Sequence, residues 1–257
     1  MNLETVLRGK KHKYLLRWLI GITLFLVVMH LTVNFWVTVM RNSALLEIGD
    51  FTFDFGWWFH LDREKKFGSI FNTLLILMVV TLMVLAGMRA WPRKGMALGW
   101  VMMAFVLTYM AIDEFFSIHE YAGKFAGINE PMGTQVVPDW VQVMAVVVFI
   151  LMVPMGLFWR NLPTWLRIRT AIAAGVYLSG TIGGEVISST YVMYNGFDSY
   201  GYNCCSAIEE GVEMLGMILC IDAMLLHFAR LHAERSENQA PPIEPAGSTA
   251  KAIDTNA

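Results

Sequence analysis

Carboxylate side chains occur inside segments of this sequence that are otherwise almost entirely apolar. On insertion scales a carboxylate within a membrane span costs about 2.5–3.5 kcal/mol, so it usually faces the interior of a helix bundle and has a partner there. The polar neighbours here are mostly other acids, and such groups must share protons, line water or bind a cation. The acids and their polar companions are Asn72, Asp113, Glu114, His119, Glu120, Glu185, Glu209, Glu210 and Glu213.

The spacing of several of these residues predicts shared helix faces. Asp113, Ser117 and Glu120 would lie on one face of a continuous helix, because residues three or four apart are neighbours on its surface. Glu209 and Glu213 are four residues apart and would stack in the same way. Each motif therefore directs at least two carboxylates to one side of its helix.

The depths of these side chains in their apolar segments are similar. At a rise of about 1.5 Å per residue, Asn72, Asp113, Glu185 and Glu213 each lie a few residues from the same end of their helices. We therefore expect them to meet in one layer of the outer leaflet of a membrane. This layer is the candidate functional site of the chain.

The first interpretation of the layer is a metal site. Helical bundles rich in carboxylates hold metal ions through Glu and Glu-x-x-His motifs, although here Phe116 stands three residues before His119 where that motif has an acid. We expect a divalent ion, either zinc or iron, held by Asp113, His119, Glu120, Glu209 and Glu213. The candidates for a general base are Glu185 and Glu210. Supporting or access positions are His60, Asp62, Glu64, Asn72, Glu114 and Ser117.

A metal ion in this place would supply either of two reactions at the outer leaflet. A bound water would be activated for hydrolysis, or iron would support oxidation. The substrate would be soluble in lipid. The sequence contains no glycine-rich phosphate loop, and the basic N-terminal arm beside a membrane helix favours contact with anionic lipid over nucleic acid.

Two other interpretations stay open at this stage. The carboxylates could relay protons or cations across the membrane, although Asp222 is the one acid in the cytoplasmic half of the spans, and the sequence shows no inverted repeat or broken helix. Alternatively, the polar layer could simply hold helices together by hydrogen bonds in a protein that assembles with a membrane partner.

Hydrophobic segments provide the elements that must position these residues. The chain has 257 residues, of which 56% are hydrophobic and 16% are charged, whereas a soluble domain carries about 25% charged residues. About 20 apolar residues suffice for a helix to cross a membrane. Six segments qualify, at about Trp18–Met40, Ser69–Met88, Met96–His119, Trp140–Phe158, Thr170–Tyr194 and Ala207–Arg230. We predict an all-α polytopic protein with six transmembrane helices.

The distribution of charge predicts the orientation of these helices. Of the 19 Lys and Arg residues, 14 lie in the two termini and in the two loops that share their side, which the positive-inside rule places in the cytoplasm. The expected location is therefore the bacterial inner membrane, with both termini cytoplasmic. The net charge of −2 conceals an acidic excess on the outer half, where 15 of the 21 acids lie.

The predicted organisation has three parts. Residues 1–17 form a basic cytoplasmic arm, and residues 18–233 form the six-helix domain with an outer loop at 41–68. Residues 234–257 are rich in polar residues, Pro and Ala, and we expect a disordered cytoplasmic tail.

Three short motifs together resemble an uncharacterised family of multi-spanning bacterial membrane proteins. They are Leu61-Asp62-Arg63-Glu64, Asp113-Glu114 with His119-Glu120, and Glu209-Glu210-x-x-Glu213-x-x-Gly216. The resemblance covers about residues 57–227, and Lys65-Lys66 stands where members of the family often have Pro-Thr. It implies that the three acidic motifs belong to one site, and it implies no particular activity, substrate or metal.

Overall fold

The structure, a computed structural model, describes residues 10–41, 57–61, 65–121, 137, 139–196 and 199–239. The side chains of residues 10, 40, 41, 120, 139 and 236–239 are not part of that description. The helices are α1 (Lys10–Arg41), α2 (Phe67–Arg89), α3 (Lys94–Phe116), a 3₁₀ turn (Ile118–Tyr121), α4 (Asp139–Trp159), α5 (Thr164–Leu178), a π-helical segment (Ser179–Gly184), α6 (Glu185–Asn195) and α7 (Tyr200–Gln239).

These elements make six helical spans that are long and apolar enough to cross a membrane. The fifth span, Thr164–Asn195, consists of α5, the π segment and α6. The described residues contain no strand. A helix satisfies every interior backbone group within its own segment, which makes it the natural structure for sequences of this composition.

Several helices continue beyond the apolar segments that predicted them. The first begins at Lys10 rather than near Trp18. The last runs from Tyr200 to Gln239, so that residues 234–239, which we assigned to the tail, are helical. Polar flanks of this kind extend a helix without adding apolar surface, and hydropathy alone cannot detect them.

The third helix ends earlier than its hydrophobic pattern suggested. It stops at Phe116, and Ser117 has a left-handed backbone with φ of 48°. The predicted continuous face of Asp113, Ser117 and Glu120 is therefore wrong. Beyond Ser117 the chain folds back, so that the backbone N–H of His119 donates to Asp113 Oδ1 at 2.7 Å.

The spans alternate in direction along the chain. Short connections place the ends of α2 and α4 beside the starts of α3 and α5. We call this end of the bundle, which also holds Lys10 and Arg230, the basic end, and the opposite end the acidic end. The last helix, α7, packs against α1, α2, α5 and the π segment, and so lies at the centre of the bundle.

A buried histidine fastens α1 to its neighbours near the acidic end. His30 is fully buried, its Nδ1 accepts from the Leu61 backbone N–H at 3.0 Å, and its Nε2 lies 3.1 Å from the Asn203 carbonyl oxygen. This pattern requires the neutral Nε2–H tautomer, in which Nε2 donates to Asn203. His60, which we predicted near the metal site, packs its ring against His30 at 5.2 Å.

At the basic end, one carboxylate joins three spans. Asp222 on α7 accepts from Arg169 Nη1 at 2.8 Å through Oδ2, and its Oδ1 lies 3.0 Å from His12 Nε2. We call this group the Asp222 triad. The triad connects α1, α5 and α7. Its carboxylate contacts a guanidinium group and an imidazole ring.

Candidate functional site

Glutamates from three spans converge at the acidic end of the bundle around one asparagine. We call this group the acidic cluster, and its members are Asn72 on α2, Glu114 on α3, Glu185 on α6, and Glu209 and Glu213 on α7. The depth argument from the sequence correctly placed Asn72, Glu185 and Glu213 in one layer.

Asn72 joins two of the glutamates. Its side chain is completely buried, and Nδ2 donates to Glu213 Oε2 at 3.3 Å. The same amide lies within hydrogen-bonding reach of Glu114, which also interacts electrostatically with Glu213. Glu213 is 7% exposed. Asn72 and Glu213 thus anchor the cluster in the interior of the bundle, whereas Glu114, Glu185 and Glu209 are half-buried.

The other two glutamates form a second pair beside the first. The carboxyl groups of Glu185 and Glu209 are in hydrogen-bonding contact. Hydroxyl groups steady both of them, since Ser188 Oγ donates to Glu209 Oε2 at 2.9 Å and Ser189 Oγ donates to Glu185 Oε1 at 3.3 Å. Two carboxyl groups take up such a contact only with a proton or a cation between them.

The π segment lets the fifth span approach α7 closely enough to build the cluster. A Cβ added at Gly180 would lie 2.8 Å from Glu213 Cγ, and one added at Gly184 would lie 2.7 Å from Glu209 Cγ. Both glycines face α7, whereas a Cβ at Gly183 would meet nothing within 4 Å. Irregular helical turns of this type are frequent at functional sites. The π segment widens the helix locally but does not break it, because Thr164–Asn195 remains one continuous helical span.

The cluster contains more negative groups than positive ones. Neither Lys nor Arg is among the side chains that interact with Glu114, Glu209 and Glu213 in the described part of the chain. A basic side chain that does interact with the cluster is His119, which lies near Glu114. Within the described part of the chain, the carboxyl groups of the cluster therefore have no Lys or Arg to compensate them.

His119 is held at the edge of the cluster by Asp113. Its Nδ1 lies 2.8 Å from Asp113 Oδ2, and its ring packs on Trp140 of α4 with centroids 4.5 Å apart. Asp113 thus supports both the backbone and the ring of His119. Together they form a partly exposed dyad beside Glu114.

Some buried oxygens on the helix that carries Asn72 have no hydrogen-bond partner among the described residues. They lie on one turn of α2 and are Ser69 Oγ, Asn72 Oδ1 and Thr73 Oγ1. Buried polar atoms normally have a partner, and each exception calls for an explanation such as a bound water or ion. The Asn72 oxygen is the most informative of the three because its own amide nitrogen already contacts the glutamates.

The structure distributes the predicted metal ligands over two adjacent groups. Asp113 and His119 form the dyad, whereas Glu209 and Glu213 belong to the acidic cluster. Within the described residues, no three His, Cys, Asp or Glu side chains stand in an arrangement ready to hold a metal. The Glu120 side chain, Asp62 and Glu64 lie outside the described residues. The predicted metal roles stay predictions.

The remaining predicted residues have clear positions. Glu210 interacts with the buried Tyr177, and Ser117 forms the left-handed end of α3. Sequence reasoning missed Tyr177 and Thr181, which interact with Glu213 from the fifth span. The run Ser179-Gly180-Thr181-Ile182-Gly183-Gly184 was the available signal, because small residues permit close helix approach.

The fold and the site define the class to which this protein belongs. It is a six-span helical bundle, of the kind found in multi-pass membrane proteins, that carries a partly buried carboxylate cluster at one end. Residues 19–228 match the model of a family described as a domain of unknown function, DUF8692. Since the match covers most of the chain, the protein belongs to this family. No curated protein and no solved structure matches the sequence.

Proposed function

We propose that this protein binds a divalent cation within the membrane, at the acidic cluster. The observation that carries the proposal is the convergence of Glu114, Glu185, Glu209 and the buried Glu213 without a Lys or Arg partner in the interactions of the described residues. Carboxyl groups that interact in this way repel one another unless protons or a cation compensate them. A divalent ion compensates two charges at once.

Binding requires only local adjustment of the cluster. Asn72 already contacts Glu213, and Glu185 already contacts Glu209. Glutamate side chains turn about their own bonds without movement of the helices. Hydroxyl groups of Ser188 and Thr181 support Glu209 and Glu213 from the fifth span. Hydrogen bonds of this kind, from a neighbouring side chain to a carboxylate, also occur in metal sites, where they orient the ligands.

Binding is better supported than conduction across the membrane. Between Glu213 and Asp222 on α7, the fully or nearly fully buried side chains include Met214, Met217, Ile218 and Ile221. These residues form an apolar layer between the acidic cluster and the Asp222 triad. A relay of protons or cations needs polar groups or water along its path.

We also propose that the basic end faces the cytoplasm of a bacterial cell and that the acidic cluster lies in the outer leaflet of the inner membrane. The excess of Lys and Arg in the termini and in the loops on their side supports this orientation. A bound divalent ion could activate water for hydrolysis of a lipid-soluble substrate, with Glu210 placed beside the cluster as a proton acceptor.

Thermal unfolding of the purified full-length protein in detergent tests the proposal. After treatment with EDTA, the protein is titrated with Ca²⁺, Mg²⁺, Mn²⁺, Zn²⁺ and Fe²⁺. We expect at least one ion to raise the unfolding temperature, because an ion that binds only the folded state stabilises it. The double variant Glu209→Gln, Glu213→Gln should lose this increase.

Glu234→Gln is the matched control, because Glu234 is an exposed glutamate on the same helix. It should respond as the wild type does. An unfolding temperature of the wild type that no ion changes, together with no metal in elemental analysis of the protein as purified, would overturn the proposal.

A further inference from the structure

A cavity lies between the fifth span and α7 near the basic end of the bundle. Its volume is about 460 Å³, within the range of about 300–1,000 Å³ that is typical of small-molecule sites. The residues that line it are Trp165, Ile168, Arg169 and Ile172 of α5 and Leu219 and Asp222 of α7. The α5 positions are three or four residues apart, so one face of that helix forms a wall of the cavity.

The polarity of the cavity changes with depth in the bundle. Helix α5 begins at the basic end and runs inward, whereas α7 runs back toward the basic end. Ile172 and Leu219 therefore line the deep part, and Arg169 and Asp222 lie nearer the basic end. Ile168 and Ile172 are each more than half exposed. A ligand that fills the cavity needs an apolar part directed inward and a polar part directed outward.

Arg169 offers hydrogen-bond donors to the polar part of such a ligand. Its Nη1 donates to Asp222 Oδ2 at 2.8 Å, which fixes the guanidinium group at the wall of the cavity. Its Nε and Nη2 make no hydrogen bond within the described part of the chain, and the side chain is 48% exposed. A guanidinium group carries five N–H donors in a planar fork that matches the oxygens of a phosphate. Arg169 can therefore hold Asp222 and bind an anion at the same time.

The charges around the cavity favour an anion. Arg230 adds a second guanidinium group, with its Cζ 4.1 Å from the centroid of the Trp165 ring. Among the described residues that line the cavity, Asp222 is the one carboxylate. Both of its oxygens are engaged, since Oδ2 accepts from Arg169 and Oδ1 lies 3.0 Å from His12 Nε2. Two guanidinium groups thus stand against one carboxylate, and the surplus charge is positive.

We propose that this cavity binds an anionic phospholipid from the leaflet at the basic end, with the phosphate on Arg169 and an acyl chain along Ile168 and Ile172. Basic pockets between membrane helices bind anionic lipid headgroups in this way. Trp165 stands at the start of the fifth span, where aromatic rings commonly lie at the level of the headgroups. The site is at the opposite end of the bundle from the acidic cluster and does not depend on the cation proposed there.

Thermal unfolding of the full-length protein in detergent, with added phosphatidylglycerol or phosphatidylcholine of the same acyl chains, tests the inference. We expect the anionic lipid to raise the unfolding temperature more than the zwitterionic one, because it binds the folded state. Native mass spectrometry during the lipid titration gives the apparent Kd. Arg169→Gln should weaken phosphatidylglycerol binding about fivefold, as expected for one lost basic contact. Glycerol 3-phosphate, which has no acyl chain, should not change the unfolding temperature.

Three further variants separate the cavity from the general attraction of a basic surface. Arg93→Gln is the matched control, since Arg93 is an exposed arginine at the same end of the bundle and does not line the cavity. It should bind phosphatidylglycerol as the wild type does. Leu219→Trp fills the deep part of the cavity and should weaken binding although both charged residues remain. Arg169→Lys keeps the charge and should retain most of the binding, even if Arg169→Gln fails to fold.

Several outcomes would overturn the inference. Equal binding of the two lipids by the wild type would remove the role of charge, and equal losses in Arg93→Gln and Arg169→Gln would remove the role of the cavity. Unchanged binding in Leu219→Trp would remove the acyl chain from its place. A stabilisation by glycerol 3-phosphate as large as that by phosphatidylglycerol would show that a free phosphate is the ligand. A dimer that Leu219→Trp disrupts in lipid-free detergent would show that a second copy of the chain occupies the cavity.

Discussion

The two ends of the bundle accommodate carboxylates between helices in different ways. At the basic end, Asp222 is paired with both Arg169 and His12. At the acidic end, four glutamates and an asparagine lie together without a Lys or Arg among their described partners. Both groups connect α7 to the fifth span and to a third helix, so they occupy equivalent places in the architecture.

Under the proposed function, the difference separates a structural role of the Asp222 triad from a binding role of the acidic cluster. A carboxylate whose partners supply the opposite charge requires no bound ligand. The role of the Asp222 triad is therefore to connect helices. The acidic cluster is costly to the fold, because it concentrates like charges where they are poorly screened. Such a cost is typical of binding sites, where a ligand supplies the missing charge.

Gly180→Ala should give the largest effect, because it separates the fifth span from α7 at the cluster. The new Cβ would lie 3.0 Å from the backbone nitrogen of Glu213, where neither group can easily move. We expect a loss of about 1–3 kcal/mol in stability, as for other overpacked interiors, and loss of the cation-induced increase in unfolding temperature. Thermal unfolding with and without added cation measures both.

The control for this variant lies on the same π segment. Gly183→Ala places its Cβ in open space and should change neither property. Equal losses in the two variants would show that the π segment rejects any side chain, and that close approach to Glu213 is not the cause.

The comparison also shows what the sequence could and could not predict. The apolar segments predicted all six spans, and the depth of Asn72, Glu185 and Glu213 placed them in one layer, because helix rise is constant. The end of α3 at Phe116 was missed, because the capping interaction between Asp113 and His119 is tertiary in character. For the same reason, periodicity could not reveal the pairing of His119 or the π segment.

Asp222→Asn should have the second largest effect and should destabilise the protein. The change removes the charge that Arg169 and His12 share, and Arg169 is left with a neutral partner. Since the Arg169 side chain is 48% exposed, solvent screening limits the loss to about 1 kcal/mol. Thermal unfolding measures the loss of stability. The double variant Arg169→Gln, Asp222→Asn should lose less stability than the two single variants together. A double variant with the summed loss of the two single variants would show that the pair does not interact.

Glu213→Gln should have the smallest effect on stability, and one of opposite sign to that of Asp222→Asn. Glutamine keeps the shape of the side chain and an oxygen that accepts from Asn72, while it removes one of the clustered charges. Without added cation we expect the free energy of unfolding to increase by about 1 kcal/mol or less, because repulsion between the remaining carboxylates falls. The unfolding temperature should rise slightly as a result. Added cation should raise the unfolding temperature of the variant less than that of the wild type. The wild type should then be the more stable of the two proteins. A change in packing alone would lower the stability of the variant equally with and without cation. If Glu213→Gln is less stable than the wild type in both conditions, the Glu213 carboxylate stabilises the fold, as Asp222 does in the Asp222 triad.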